Sequence, residues 1–411
     1  MIGIANDQNS ISKQKFDIYV NEKKKSYNDL LQFLENPQNK DDDFINLFNL
    51  NKEEGEKEQI ENLLQLSKSI SDNHKRDDCF LRKLFAIVEH YKDQIKQTLS
   101  NIEIFEIFRT NKLFLLFLLE SQIIIVDDYV YGELNSQIEL NGNKYCHFFY
   151  PEIKEFVGEE KSQNILNDLL SIDTNILDHF NEKRHEGEND SYICSLIRKD
   201  SVEEFISYVN RTNMHLKSRT KSSLFESNQF LICNTPTLIE YSAFFGSIQI
   251  FQYLRMNGVK LTESLWPYAI HSNNAELIYI LEENKVGPPN GEYKICLIES
   301  IKCHHNNIAN YIRDFWMPDD FKQEQILSSI MKYHNYECFP SDFKYEREFK
   351  KEFLNLCSFN YHTFVRLFLE KEKLSIENKI QKEINNKSIF ITCQYKMLPN
   401  KIKLTLSIIY Y

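Results

Sequence analysis

The chain reads as an all-α protein in which an N-terminal helical domain leads into an irregular ankyrin-like α-solenoid of stacked helix pairs. Three features of the sequence point there. The 411 residues include only 10 Gly and 9 Pro, well under the usual shares of about 7% and 5%, and few breakers favour long helices over a many-stranded sandwich. Apolar residues recur three and four positions apart along most of the chain, the spacing of one helix face. Finally, the stretch 237–312 repeats itself, the signature of stacked units.

Composition narrows the functional classes. A net charge of −11 argues against broad electrostatic binding to nucleic acid or anionic membrane. The nine cysteines, Cys79, Cys146, Cys194, Cys233, Cys296, Cys303, Cys338, Cys357 and Cys393, are scattered and set mostly in apolar stretches. That suits reduced thiols and an intracellular, cytoplasmic setting. Met1–Ser10 has no basic segment followed by an apolar core, so no secretory signal is expected. The most apolar run, Leu113–Val126, is interrupted by Glu120, Ser121 and Gln122 and falls short of the ~20 apolar residues of a bilayer span. It reads as a buried helix followed by a short apolar segment.

In chain order, Leu30, Leu31, Phe33 and Leu34, then Phe44, Ile45, Leu47 and Phe48, sit at helical spacings. A charged stretch, Asn51–Gln59, leads into Ile60, Leu63, Leu64 and Leu66. Across Cys79–Leu99, Phe80, Leu84, Ile87, Val88, Tyr91 and Ile95 line one face. Asn111–Leu119 predicts a fully buried helix, Tyr145–Gly158 a packed aromatic boundary, and Asn181–Asp190 an exposed loop.

The repeat follows. A shift of 27 places Leu238 on Leu265, Tyr241 on Tyr268, Ser242 on Ala269, Ile250 on Leu277, Phe251 on Ile278 and Leu254 on Leu281. A further shift of 31 places Ala269, Ile270, Leu277, Ile280 and Leu281 on Ser300, Ile301, Ile308, Tyr311 and Ile312. Looser units are expected upstream, with Val202 and Phe205 matching Ile248 and Phe251, and downstream at Leu356–Phe368. In each unit a first helix carries a small residue (Ser242, Ala269, Ser300) where a neighbour must come close. A short polar turn and a second apolar helix complete it, and one such pair cannot bury its own face alone. Gly258 and Gly287 are expected to end second helices.

Thr237–Val259 resembles the ankyrin pattern through Thr237, Ala243, Gly246, Leu254 and Gly258, with Leu238 in the proline place and Ser242 in that of the first alanine. The whole run from Thr237 to Ile312 is similar to a family of ankyrin-like proteins from unicellular eukaryotes built around a domain of unknown function. NKLFLLFLLESQIIIVDDYV and FFYPEIKEF upstream extend the likeness over roughly Phe80 to Leu369. The expected organisation is an N-terminal helical domain at 1–158, a divergent ankyrin-like repeat domain at 159–375, and a tail at 376–411. The tail is Lys- and Asn-rich with β-prone ends, and its structure is left open. The resemblance implies a scaffold or adaptor that binds another protein and carries out no reaction.

Chemistry-bearing motifs are sparse. Cys296, Cys303 and His304, with His305 beside them and His271 one unit earlier, make the sharpest metal candidate, because thiolate and imidazole suit zinc. The step from Cys296 to Cys303 lacks a short Cys-x2–4-Cys knuckle, and the register puts His304 and His305 on Asn273 and Asn274 in an exposed turn. The expected reading is therefore no metal and no cofactor. No Gly-x-Ser-x-Gly, His-Glu-x-x-His or glycine-rich phosphate loop occurs. Adjacent acids such as Asp127–Asp128 and Glu282–Glu283 read as solvated helix-end charges. The expected partner surface comprises the inter-unit turns, with Lys260, Thr262 and Glu263, then Val286, Pro288 and Asn290, together with Glu240, Phe244 and His271 from the helices. Trp316 is a candidate anchor, and Trp266 is placed equally well in the core. The alternatives are a metal-binding or enzymatic module on Cys296, Cys303 and His304, and a self-assembling structural protein.

Overall fold

The computed structural model describes residues 2–36, 38–39, 56–73, 78–137, 144–318, 321, 323–339, 365, 390–398 and 401–409. The expected units at Phe44–Phe48 and Leu356–Phe368 lie outside these residues, Val365 excepted. The regular structure of the described chain is helical apart from one hairpin and isolated bridge residues at Lys144 and between Arg219 and Thr237. In the hairpin Phe390–Leu398 pairs antiparallel with Lys401–Ile409, Phe390 opposite Ile409 and Leu398 opposite Lys401. The hairpin lies in the β-prone end of the tail, whose structure the sequence leaves open. Among the described residues no helix is long and apolar enough to cross a membrane.

The chain divides into two compact units, Met1–Gln59 with Asp320–Tyr411, and Ile60–Asp319. The expected boundary at 158/159 falls inside the second. In the first unit, the Ile2–Glu35 helix buries Tyr19, Val20, Tyr27, Leu30, Phe33 and Leu34. Its Lys24 and Asn28 both reach Glu337, at 3.6 and 3.1 Å, in the short helical turn Tyr336–Cys338.

The second unit opens with short helices closed by side-chain caps. Ser100 and Glu103 form a reciprocal capping box, and Asn111 and Asp127 accept the amides of Phe114 and Val130. These caps satisfy amides that a helix start leaves without intrahelical partners. The single element expected over Cys79–Leu99 is broken at Tyr91 into Asp78–His90 and Lys92–Thr98. The Lys112–Glu120 helix is buried nearly all round, Lys112 included; its ammonium donates to the Leu224 carbonyl at 2.9 Å.

The expected loop at Asn181–Asp190 is instead largely the Phe180–Glu186 helix. Arg184 on it is 1% exposed. Its guanidinium donates to both oxygens of Glu152, at 2.6 and 3.0 Å, and to the Phe148 carbonyl and Asn181. A forked pair of this kind satisfies a buried charge, and composition alone could not reveal it.

Helix pairs then follow in order: Tyr192–Arg198 with Val202–Thr212, Leu238–Phe245 with Ile248–Met256, Leu265–His271 with Ala275–Glu283, and Tyr293–Lys302 with Asn306–Trp316. Each first helix packs on the first helix of the next pair. The same turn joins the helices every time. Asp200, Gly246, Asn273 and His304 all have positive φ, between 50° and 67°, and each amide donates to the carbonyl three residues back. The turn recurs at His334 in the first unit. The first three second helices end alike: Asn213, Gly258 and Lys285 have positive φ, and Met214, Val259 and Val286 donate back to Val209, Leu254 and Leu281. This is a Schellman-type closure. Lys285 holds the place expected for Gly287, because the shift of 27 brings it onto Gly258.

The equivalenced apolar residues are buried, apart from half-buried Val202, Ile248 and Tyr311. Ser242, Ala269 and Ser300 are buried at the helix contacts, and both serine hydroxyls donate to carbonyls three residues back on their own helix. The polar atom is thus satisfied without a partner from the neighbour. Trp266 lies in the core, its indole N–H donating to the Val286 carbonyl at 2.9 Å.

The turn and the interior each give a test. A Cβ on Gly246 meets nothing closer than 3.6 Å, so Gly246→Ala costs only its left-handed conformation, about 1 kcal/mol. Asn273→Ala loses a similar amount and Asn273→Gly does not, as denaturant midpoints report. Burial holds His147 below the ordinary histidine value; Asp168, 3.9 Å away, offsets part of this and Lys144 adds to it. The unfolded chain therefore binds the extra proton first, and stability falls as pH drops below about 6.5. His147→Phe shows a smaller fall in melting temperature between neutral pH and about pH 5.

Candidate functional site

The stacking of first helices brings their C-terminal turns together. His271 is the last residue of the Leu265–His271 helix, while Glu299 and Cys303 stand four apart at the end of the next first helix, and that spacing places both on one face. His271 Nε2 lies 2.6 Å from Glu299 Oε1, and Cys303 Sγ lies 3.4 Å from His271 Nδ1. Lys302 donates to the same Glu299 oxygen at 2.8 Å. Phe230 and Phe244 cover the imidazole, with ring centroids 4.2 and 5.1 Å away. His305 donates to the His271 carbonyl at 3.4 Å, and His304 Nε2 lies 3.0 Å from Ser69 Oγ.

Electrostatics fixes the protonation pattern. Burial favours the neutral form of Glu299, but the hydrogen bond from His271 and the ammonium of Lys302 outweigh it and hold the carboxyl below its ordinary value. Burial keeps His271 below its ordinary value despite Glu299, so at neutral pH a neutral imidazole faces a carboxylate. Its Nε2–H then donates to Glu299, and Nδ1 accepts from the Cys303 thiol. Burial, and next Glu299, hold that thiol well above the ordinary cysteine value. A Cys–His–Glu chain of this order resembles a nucleophile with its base. Yet the thiol is buried and protonated, whereas a reactive cysteine is an accessible thiolate. The same donor atoms of His271, Glu299 and Cys303, all within 4.8 Å of one another, can hold a metal ion.

Of the residues singled out by sequence, Cys303 and His271 meet here. Cys296 and His304 do not join them, and Glu299 takes their place. The expectation that His304 and His305 lie in an exposed turn is overturned. The turn is where the register puts it, but both rings are buried, because the Glu56–Asn73 helix supplies a partner for one and the neighbouring first helix for the other. His271 and Glu240 are likewise buried rather than exposed. Glu240 caps its own helix by accepting the Thr237 amide and hydroxyl, and its other oxygen accepts the Ser264 hydroxyl at 2.6 Å. The only sequence signal for Glu299 is its place four residues before Cys303.

Phe244 is half-buried, stacked on Phe230 and His271. Lys260, Thr262, Glu263 and Asn290 are exposed, Val286 is half-buried and Pro288 is buried. Thr262 bonds to Ser264, so the 260–264 turn is anchored through Ser264 to Glu240. Trp316 stacks on Tyr293 at 4.6 Å and donates to Glu282 at 3.1 Å, which ties it to the scaffold. Nearby, Tyr279 and Phe315 are 62% and 72% exposed.

No family model matches the sequence, and no curated protein or solved structure compared with it matches either.

Alkylation of the native chain with iodoacetamide, read by mass spectrometry, labels exposed Cys233 well before Cys303, which reacts only after unfolding. Equal rates at the two thiols would refute the placement of Cys303.

Proposed function

We propose that the helix pairs form a divergent ankyrin-like solenoid whose inter-pair turns recognise another protein, in a cytoplasmic scaffold or adaptor with no reaction of its own. The observation that carries this reading is the recurrence of one interhelical turn at Asp200, Gly246, Asn273 and His304. Units that repeat in register present equivalent exposed positions side by side. Lys260, Thr262, Glu263 and Asn290 occupy the turns that lead from one pair to the next. The ankyrin-like phrases of Thr237–Val259 support the same reading, and so do buried thiols suited to a reducing compartment.

The recognition surface is narrower than the sequence suggests, since Glu240 and His271 serve the interior. Glu240 contributes indirectly, by holding Ser264 and thereby the 260–264 turn.

The test is affinity capture from lysate of the source cells with the full chain and with a Lys260→Glu, Glu263→Lys double variant. Both residues are exposed, so the fold is expected to survive. A discrete protein retained by the wild type and reduced about tenfold on the variant, a loss of roughly 1.4 kcal/mol, is the expected result. Indistinguishable captures would remove these turns from the interface. Capture of the chain by itself alone, with concentration-dependent size in solution, would point to self-assembly through exposed apolar residues such as Tyr279 and Phe315.

A further inference from the structure

His271, Glu299 and Cys303 bring three donor types, an imidazole nitrogen, a carboxylate oxygen and a sulfur, to one point in the interior. Among the described residues this is the only group of three potential ligands that converges in this way. The geometry points to a buried structural metal site of the zinc class, bound by His271, Glu299 and Cys303 and locking the two neighbouring first helices together. This inference does not depend on the recognition reading.

The donor set selects the ion. Thiolate with imidazole favours zinc and similar borderline ions over magnesium or calcium, which take oxygen ligands. The distances suit a tetrahedral ion. With metal–nitrogen and metal–sulfur bonds of about 2.0 and 2.3 Å, the nitrogen–sulfur edge is about 3.5 Å. Here Sγ lies 3.7 Å from His271 Nε2, the ring nitrogen that faces Glu299. The nitrogen–oxygen edge, 2.6 Å, opens to about 3.3 Å once both atoms bind one ion. Lys302, which now holds that oxygen, is half-buried and can swing toward solvent. Glu299 has a second oxygen to complete four donors.

Charge and protons balance. As the sulfur–metal bond forms, the Cys303 thiol releases its proton to solvent. The thiolate and the Glu299 carboxylate then neutralise the dication, and the imidazole binds as the neutral form. Phe230 and Phe244 exclude water from one face of the ring. A site this enclosed is loaded as the chain folds.

The experiment unfolds the full chain under reducing conditions and refolds it with zinc, with cobalt(II), or with chelator, removing excess metal by gel filtration. About one metal per chain is expected, with a higher unfolding midpoint than the chelator-refolded protein. The cobalt form is expected to show a thiolate-to-cobalt absorption band in the near ultraviolet. Cys303→Ser abolishes that band and weakens metal binding by more than about tenfold, whereas Cys296→Ser, further up the same helix and outside the cluster, keeps both. A wild-type chain that refolds with native circular dichroism and retains no metal would overturn the site. So would a folded Cys303→Ser that binds as well as wild type. Should Cys303→Ser fail to fold, wild-type metal content and the cobalt band decide alone.

Discussion

In the helix-pair region one backbone constraint governs the rest: the chain must reverse between paired helices within a couple of residues without stranding buried amides. The solution is a single left-handed residue whose N–H returns to a carbonyl three back. It is used at Asp200, Gly246, Asn273 and His304. A left-handed conformation is free for glycine and tolerable for Asn or Asp. At His304 it is held by the burial of the ring beside Ser69. Once the turn is fixed, the second helix must lie back along the first, and the faces left apolar are those that meet the next pair.

Close approach of the first helices has a second consequence. The small residues Ser242, Ala269 and Ser300 let the helices come together, and their C-terminal turns converge with them. Polar groups on those helices are then trapped inside and must find partners. Glu240 finds Thr237 and Ser264, while His271 finds Glu299 and Cys303. The polar cluster is thus a product of the stacking, and any ion held there would reinforce it.

The N-terminal part of the same unit solves the problem with charge. Arg184 is enclosed by Phe148 and Phe180 and anchored to Glu152. Lys112 does likewise beneath Phe148 and Tyr145, donating to Leu224. A linear reading places Arg184 in an exposed loop and offers no partner for Lys112 at the start of a buried helix. The partners that make burial tolerable lie 32 and 112 positions away, beyond the reach of any local pattern.

Helices, the register of the repeat and the positions of its turns are legible in the chain alone. They rest on spacings of three and four and on breakers, all local in sequence. Shifts of 27 and 31 bring Lys285 onto Gly258 and His304 onto Asn273, and the backbone at both places is left-handed as at their equivalents. Which side chains at such positions are buried is settled by the packing of helices distant in sequence. Polarity sends His271, Glu240, His304 and Arg184 to the surface, because polarity is a property of the residue. Burial depends on neighbours supplied by other helices, and a polar group enters the interior wherever those neighbours offer it a hydrogen bond or an opposite charge.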